Sequence, residues 1–292
     1  MTLGACAEPL CTAYDAALLD LDGVVYRGDA AVPGAAAAVE RARAAGMRLA
    51  FVTNNASRTP AAVVAHLARA GVAADEAEVV TAAQAAATLL ATLVPPGARV
   101  LVTGGEGLRT AVAAAAFEVV GSADDAPAAV VQGYSPDLGY ADLAEAALAV
   151  RRGAVWLASN LDATIPTTRG ELPGNGSLVA LVAHATGRAP DAVAGKPERA
   201  LHDEAVRRIA ARRPLVVGDR LDTDVEGANR AGCASLLVLT GVADEAALLA
   251  APPERRPTYV GLDLGALVVA HPADGVRDGL DALRGLLRSA WG

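Results

Sequence analysis

The sequence predicts an α/β protein built on a parallel sheet, and three observations predict it. Short apolar runs stop abruptly at polar residues, alanine-rich helical stretches close at glycine, and the two alternate from Ala16 onward. The first run, Ala16 to Leu19, ends at Asp20-Leu21-Asp22-Gly23. Such an unbroken apolar run suits a strand buried on both faces of a parallel sheet. Ligands of open α/β sheets sit just beyond the carboxyl ends of their strands, so Asp20 and Asp22 fall where a ligand would be. A helix over Ala35–Ala45 closes at Gly46, and a second run, Arg48–Val52, ends in Thr53-Asn54-Asn55. A helix over Ala61–Ala70 closes at Gly71; it is entered through Thr59-Pro60, with Ser57 or Thr59 as its N-cap. Strand-like segments come next at Arg99–Thr103, Ala129–Gln132 and Ala154–Ala158. Ala194-Gly195-Lys196-Pro197 then places one lysine in a Gly/Pro turn before a helix-like stretch. A last run, Pro214–Val217, ends in Gly218-Asp219 and continues to Asp222-Thr223-Asp224.

Composition narrows the function classes. With 292 residues and 53% apolar content the chain can bury a large core, and its length suggests two domains. A net charge of −8 argues against nucleic acid as a partner, because nucleic acid demands a basic footprint. No apolar run reaches the ~20 residues that span a bilayer, which argues against a membrane partner. The N-terminal residues lack a charged start and a long apolar stretch, so nothing there marks the chain for export. Cys6, Cys11 and Cys233 are an odd number without a pairing pattern, as expected in a reducing cytoplasm, and the first two are expected in a loose tail. His66, His184, His202 and His271 show no metal-ligand spacing and read as surface or satisfied core residues.

Three strand ends and one loop thus offer, in chain order, an acid pair, a hydroxyl, a cation and an acid cluster. This set resembles the haloacid dehalogenase (HAD) superfamily of aspartate-nucleophile phosphatases. Asp20-Leu21-Asp22-Gly23-Val24-Val25-Tyr26-Arg27-Gly28, Phe51-Val52-Thr53-Asn54-Asn55, Gly195-Lys196-Pro197 and Gly218-Asp219-Arg220-Leu221-Asp222-Thr223-Asp224 are similar to the motifs of its subfamily IIA. That group holds NagD-like, p-nitrophenyl, pyridoxal and glycerol-phosphate phosphatases. The resemblance implies a HAD-like Rossmannoid core and a Mg²⁺-dependent phosphomonoester hydrolase acting through an aspartyl-phosphate. It makes Asp20 the nucleophile and Asp22 the general acid and then base, which must start protonated. It makes Asp20, the Asp22 carbonyl and Asp219 the metal ligands, and Asp224 either a ligand or an orienter of metal-bound water. Thr53, with the Asn54 backbone N–H and Asn55, is implied to hold the transferring oxygens, with Lys196 offsetting their charge. Asp222 is expected to face solvent. Phosphoryl transfer is mostly positioning and charge stabilisation, so no further catalytic group is required.

Between the threonine and lysine motifs lies more chain than a sheet crossover needs. The resemblance makes this interval an inserted α/β cap that reads the substrate, over 81–189, with the discontinuous core at 1–80 and 190–292. Within it Ala158-Ser159-Asn160-Leu161-Asp162 and Pro173-Gly174-Asn175-Gly176-Ser177 resemble segments facing the active site, and Asn160 and Arg169 are polar enough to meet a substrate hydroxyl or carboxylate. Pyridoxal phosphatases carry a Trp-His pair where this chain has Thr164-Ile165, which points away from pyridoxal phosphate and toward glycerol 3-phosphate, phosphoglycolate or a nucleoside monophosphate. The resemblance also allows a homodimer through the cap. A rival reading starts from Thr103-Gly104-Gly105-Glu106-Gly107, a strand running into glycines as in a dinucleotide-binding unit or dehydrogenase. It lacks the third glycine, whose position is Thr110. A phosphate-binding protein without catalysis is the remaining alternative, disfavoured because every catalytic position is filled.

Overall fold

The computed structural model describes residues 3–167, 169–272 and 279–291. The chain forms two compact units, one made of Met1–Val52, Val64–Val79 and Ala205–Gly292, the other of Thr53–Val63 and Val80–Glu204.

The first unit carries a parallel sheet in the order Tyr259–Gly261, Ala234–Val238, Pro214–Gly218, Ala16–Leu19, Arg48–Thr53, with Val79–Thr81 at the far edge. The all-apolar Ala16–Leu19 strand lies in its middle and is buried throughout, as its composition requires. Register decides which residues the strand's exit meets: Leu19 pairs with Val217 on one side and Phe51 on the other. The Asp20 N–H donates to the Val217 carbonyl at 2.8 Å, so the last ladder bond delivers Asp20 beside Gly218-Asp219. At the opposite end Asp15 ties three strand starts together. Its carboxylate accepts from the Arg48 guanidinium (2.6 Å) and from the N–H groups of Arg212 (2.9 Å) and Arg213 (2.8 Å).

The helix Ala35–Ala44 buries Ala35, Ala38, Val39 and Ala42, the i, i+3, i+4, i+7 stripe of an amphipathic helix. It is followed by Gly46 at φ +88°, the left-handed position that ends helices. The helix Pro60–Arg69 takes Thr59 as its cap, whose hydroxyl accepts from the Ala62 N–H. The N-terminal residues depart from the loose tail expected of them. Cys6–Pro9 is a strand paired antiparallel with Ala270–His271, and Leu3, Leu10 and Cys11 are buried. Leu3 joins a cluster with Val225, Leu237, Leu287 and Trp291, which also seats the C-terminal helix Gly279–Trp291. A few scattered apolar side chains suffice to anchor a segment too short to show a period.

The second unit has its own parallel sheet, ordered Ala192–Val193, Val155–Ala158, Ala129–Gln132, Arg99–Thr103, Glu118–Val120. The helices Tyr140–Arg151 and Asn175–Thr186 pack on a core centred on the fully buried Trp156 with Val130 and Val182. The Trp156 indole donates to Gln132 Oε1 at 3.1 Å, so its one polar atom is satisfied. A two-stranded hairpin, Thr164–Thr167 with Gly170–Pro173, completes the unit. Among the described residues no helix is long and apolar enough to cross a membrane.

Candidate active site

In the first unit the sheet register brings Asp20, Asp219 and Asp224 together, with one carboxylate oxygen from each lying within 4.8 Å of the others. Asp20 is half-buried, while Asp219 and Asp224 are 1% and 2% exposed. At that separation each like-charge pair costs about 3.5 kcal/mol at an effective dielectric of ~20, so three ionised groups need a cation or a proton among them. The donor set is all oxygen, which suits a hard divalent ion such as Mg²⁺ rather than a soft one.

The surroundings hold this cluster in place. The Val242 N–H donates to Asp219 Oδ2 at 2.7 Å, and the Ala243 N–H to the Asp219 carbonyl at 3.0 Å. A Cβ on Gly23 would lie 2.5 Å from Asp219 Oδ2, and Gly23 also sits at φ +88°, so no other residue fits the turn behind the acid pair. Thr240 fixes that turn from outside, its hydroxyl donating to the Gly23 carbonyl at 2.6 Å. The Thr240–Ala243 segment was missed by sequence reasoning; its only signal is a Thr-Gly directly after an apolar strand. Asp22 stands exposed beyond Asp20, bridged to Tyr26.

Asp224 lies in a turn of π-helix, Leu221–Val225, which swings its carboxylate back over Gly218, where a Cβ would sit 2.2 Å from the Asp224 carboxyl carbon. The Arg220 N–H donates to Asp224 Oδ2. Asp222 faces solvent as expected, its side chain 45% exposed, and it is held by the Arg220 side chain at 3.0 and 2.8 Å. Burial would raise its pKa, but the Arg220 hydrogen bonds and charge outweigh that and hold it below the ordinary carboxylate value.

The second unit carries Thr53, Asn54, Asn55 and Lys196. Asn54 is the hub of this group. Its Oδ1 accepts the Lys196 N–H at 2.7 Å, and its Nδ2 donates to the Lys196 carbonyl and to both Asp162 oxygens, each at 3.1 Å. Lys196 is 4% exposed, unlike an ordinary surface lysine. Thr53 Oγ1 accepts the Asn55 N–H at 3.1 Å. The Asn55 side chain is spent locally: its Oδ1 accepts from Ser57 N, Ser57 Oγ and Arg58 N, which shapes the entry to the next helix. Asn160 is buried, and its carboxamide binds the Asn54 carbonyl (2.8 Å) and the Asp162 N–H (3.1 Å), so the polarity that suggested a substrate contact is used inside the fold. Arg169 is exposed in the hairpin, its backbone N–H bonded to Thr167 Oγ1.

The glycines of the rival reading have a packing explanation. A Cβ on Gly105 would meet Ser57 at 3.0 Å, and one on Gly107 would meet the Arg58 carbonyl at 2.3 Å, while the Gly107 N–H donates to the Ser57 carbonyl. These glycines admit a neighbouring stretch of this chain's own backbone at the place where a dinucleotide fingerprint would admit a pyrophosphate.

Comparison with known proteins gives the family. A haloacid dehalogenase-like hydrolase family model matches residues 17–118, and a HAD hydrolase-like model matches residues 193–267. A D-glycerol 3-phosphate phosphatase from Mycobacterium tuberculosis is 54% identical over 254 residues, 87% of this chain and 71% of its own length. An acid sugar phosphatase from Staphylococcus haemolyticus is 35% identical, covering 87% of this chain and 95% of its own. The crystal structure of a glycerol phosphate phosphatase from M. tuberculosis with magnesium superposes with a TM-score of 0.91 at 46% identity, covering 97% of this chain and 92% of that one. A p-nitrophenyl phosphatase from Archaeoglobus fulgidus gives 0.80 at 30% identity, covering 87% and 98%.

Proposed function

Because this chain belongs to the haloacid dehalogenase-like hydrolases, we propose that its carboxylate cluster carries out phosphate-ester hydrolysis with Asp20 as nucleophile. The chain is a Mg²⁺-dependent phosphomonoester hydrolase, and the meeting of half-buried Asp20 with buried Asp219 and Asp224 is the observation that carries the assignment of roles. Asp20, Asp219, Asp224 and the Asp22 carbonyl are the groups that would hold Mg²⁺. When bound, the ion offsets the negative charge of the carboxylates and the phosphate.

In this reading an Asp20 oxygen attacks phosphorus, the ester P–O bond breaks, and an aspartyl-phosphate forms. Asp22 begins protonated and gives its proton to the leaving alkoxide. It then takes a proton from water as that water attacks the aspartyl-phosphate, which releases inorganic phosphate and restores Asp20. The exposure of Asp22 supports this role, since it must meet both a departing alcohol and an arriving water. Thr53, the Asn54 N–H and Lys196 hold the phosphoryl oxygens, and the burial of Lys196, unusual for a lysine, supports a role inside the fold rather than at its surface. The insert over 81–189 is assigned the reading of the leaving group.

For the substrate we propose a small aliphatic phosphate, glycerol 3-phosphate first. The relative that is 54% identical and the absence of a Trp-His pair at Thr164-Ile165 both support it. A cytoplasmic location and pairing through the insert belong to the same reading. Phosphate release should be measured from glycerol 3-phosphate, phosphoglycolate, sugar phosphates, nucleoside monophosphates and p-nitrophenyl phosphate, with Mg²⁺, with chelator, and with Asp20→Asn. Release that needs Mg²⁺ and Asp20 is expected. Release that survives Asp20→Asn would overturn the nucleophile, and a flat profile across the panel would overturn the substrate.

A further inference from the structure

The Asn54 side chain donates to both oxygens of Asp162, a residue 108 positions away, and accepts from the backbone N–H of Lys196, 142 positions away. A segment of the insert is therefore fastened directly to the phosphate motif. Asn160 adds a second fastening, donating to the Asn54 carbonyl at 2.8 Å while it accepts the Asp162 N–H. Behind it, the buried Asn175 donates to the Asn160 carbonyl at 2.7 Å. The approach is so close that a Cβ on Gly195 would lie 2.7 Å from Asn54 Oδ1 and 2.6 Å from the Ser159 carbonyl.

We propose that Asp162 is a positioning residue for phosphoryl binding: it orients the Asn54 carboxamide, which in turn sets the backbone at Asn54 and the Lys196 loop. This rests on the proposed assignment of Asn54 and Lys196 to the phosphate. The carboxamide leaves little freedom. Its Nδ2 must point at Asp162 and the Lys196 carbonyl for Oδ1 to receive the Lys196 N–H, and a two-oxygen acceptor at Asp162 enforces that orientation. Asp162 thereby acts on the part common to every substrate, although it lies in the segment expected to distinguish among them. A simple charge effect has the opposite sign, since removing a carboxylate near an anion site should tighten anion binding.

The experiment compares wild type, Asp162→Ala and Asp162→Asn for KM and kcat on glycerol 3-phosphate and p-nitrophenyl phosphate, and for the Ki of inorganic phosphate. A raised phosphate Ki in Lys196→Ala tests the assignment on which the inference rests, and the Asp162 variants test the inference. Asp162→Ala should raise both KM values and the phosphate Ki by one common factor of about tenfold, with a smaller change in kcat. Asp162→Asn keeps an acceptor oxygen and should recover most of the loss. Should Asp162→Ala fail to fold, the near-isosteric and uncharged Asn160→Leu, which removes the donor to the Asn54 carbonyl, should raise the phosphate Ki in the same way. An unchanged or lower Ki, a KM effect confined to one ester, or equal damage from the Ala and Asn variants would overturn the proposal.

Discussion

Gly241 lies against Asp219 so closely that a Cβ added to it would sit 1.8 Å from the carboxylate Oδ2. No side-chain rearrangement at position 241 relieves that overlap, so the carboxylate must move. Gly241→Ala should therefore weaken Mg²⁺ affinity by about tenfold or more, the range found when groups supporting a metal ligand are disturbed. Activity titrated against Mg²⁺ reads this directly, and an unshifted midpoint would mean that Asp219 does not serve the ion.

Asp22→Asn removes the proposed proton donor while keeping its shape. Turnover of an alkyl phosphate should fall about 10²- to 10³-fold, and that of p-nitrophenyl phosphate, whose leaving group departs without help, much less. Equal losses on both would count against proton donation.

His271 makes the fold sensitive to acid. Burial holds its imidazole below the ordinary value of 6.5; the Ala266 carbonyl pulls it upward, and the nearby Arg284 charge adds to the lowering. Nδ1 accepts from the Arg284 guanidinium at 3.0 Å and Nε2 donates to Ala266, an arrangement only the neutral ring can make. Around it, Asp281 pairs with Arg284, and Tyr259 meets the ring edge-on. The unfolded chain takes up the proton first, so stability falls as pH drops below about 6.5, by at most about 1.4 kcal/mol per pH unit. Urea unfolding of His271→Gln should show a flatter profile between pH 7.5 and 5.5; a wild-type slope in the variant would move the effect elsewhere.

Asp15 ties the starts of three adjacent strands, and Asp15→Ala should cost about 1 to 2 kcal/mol, kept small by the partial exposure of its Arg48 pair. Burial alone would raise the carboxyl pKa, but the Arg212 and Arg213 N–H groups and Arg48 bring it below the ordinary value. The stabilisation is present above about 3.8 and lost as pH falls through the lower folded value, so the variant and wild type should converge in strong acid. A gap that persists at pH 2 would assign the effect to packing.

The parts of this molecule legible in the sequence are those where local chemistry and tertiary position coincide. Ala16–Leu19 reads as a buried strand because nothing in it tolerates water, and the acids that stop it must lie at a strand end. Asp219 follows from the same logic one strand away. Thr240–Ala243 was illegible, because its role is carried by backbone N–H groups and by the lack of a side chain at Gly241. Asn160 and Gly107 show the converse. Polarity and glycine spacing suggested ligands; the Asn160 side chain binds the Asn54 carbonyl, and Gly107 admits the Arg58 carbonyl. The Cys6–Pro9 strand pairs with residues more than 250 positions away, which no local window can see.

The central strand waits a long time for half of its neighbours. Ala16–Leu19 leaves the ribosome early and finds Arg48–Thr53 soon afterwards, whereas its other flank, Pro214–Gly218, is nearly two hundred residues behind. Until that late strand arrives, Asp20 has no Asp219 or Asp224 beside it, and the growing chain presents an apolar strand with one edge open. The proposed nucleophile is thus synthesised about two hundred residues before the carboxylates proposed to share its ion, so a chain cut before Pro214 carries Asp20 without them.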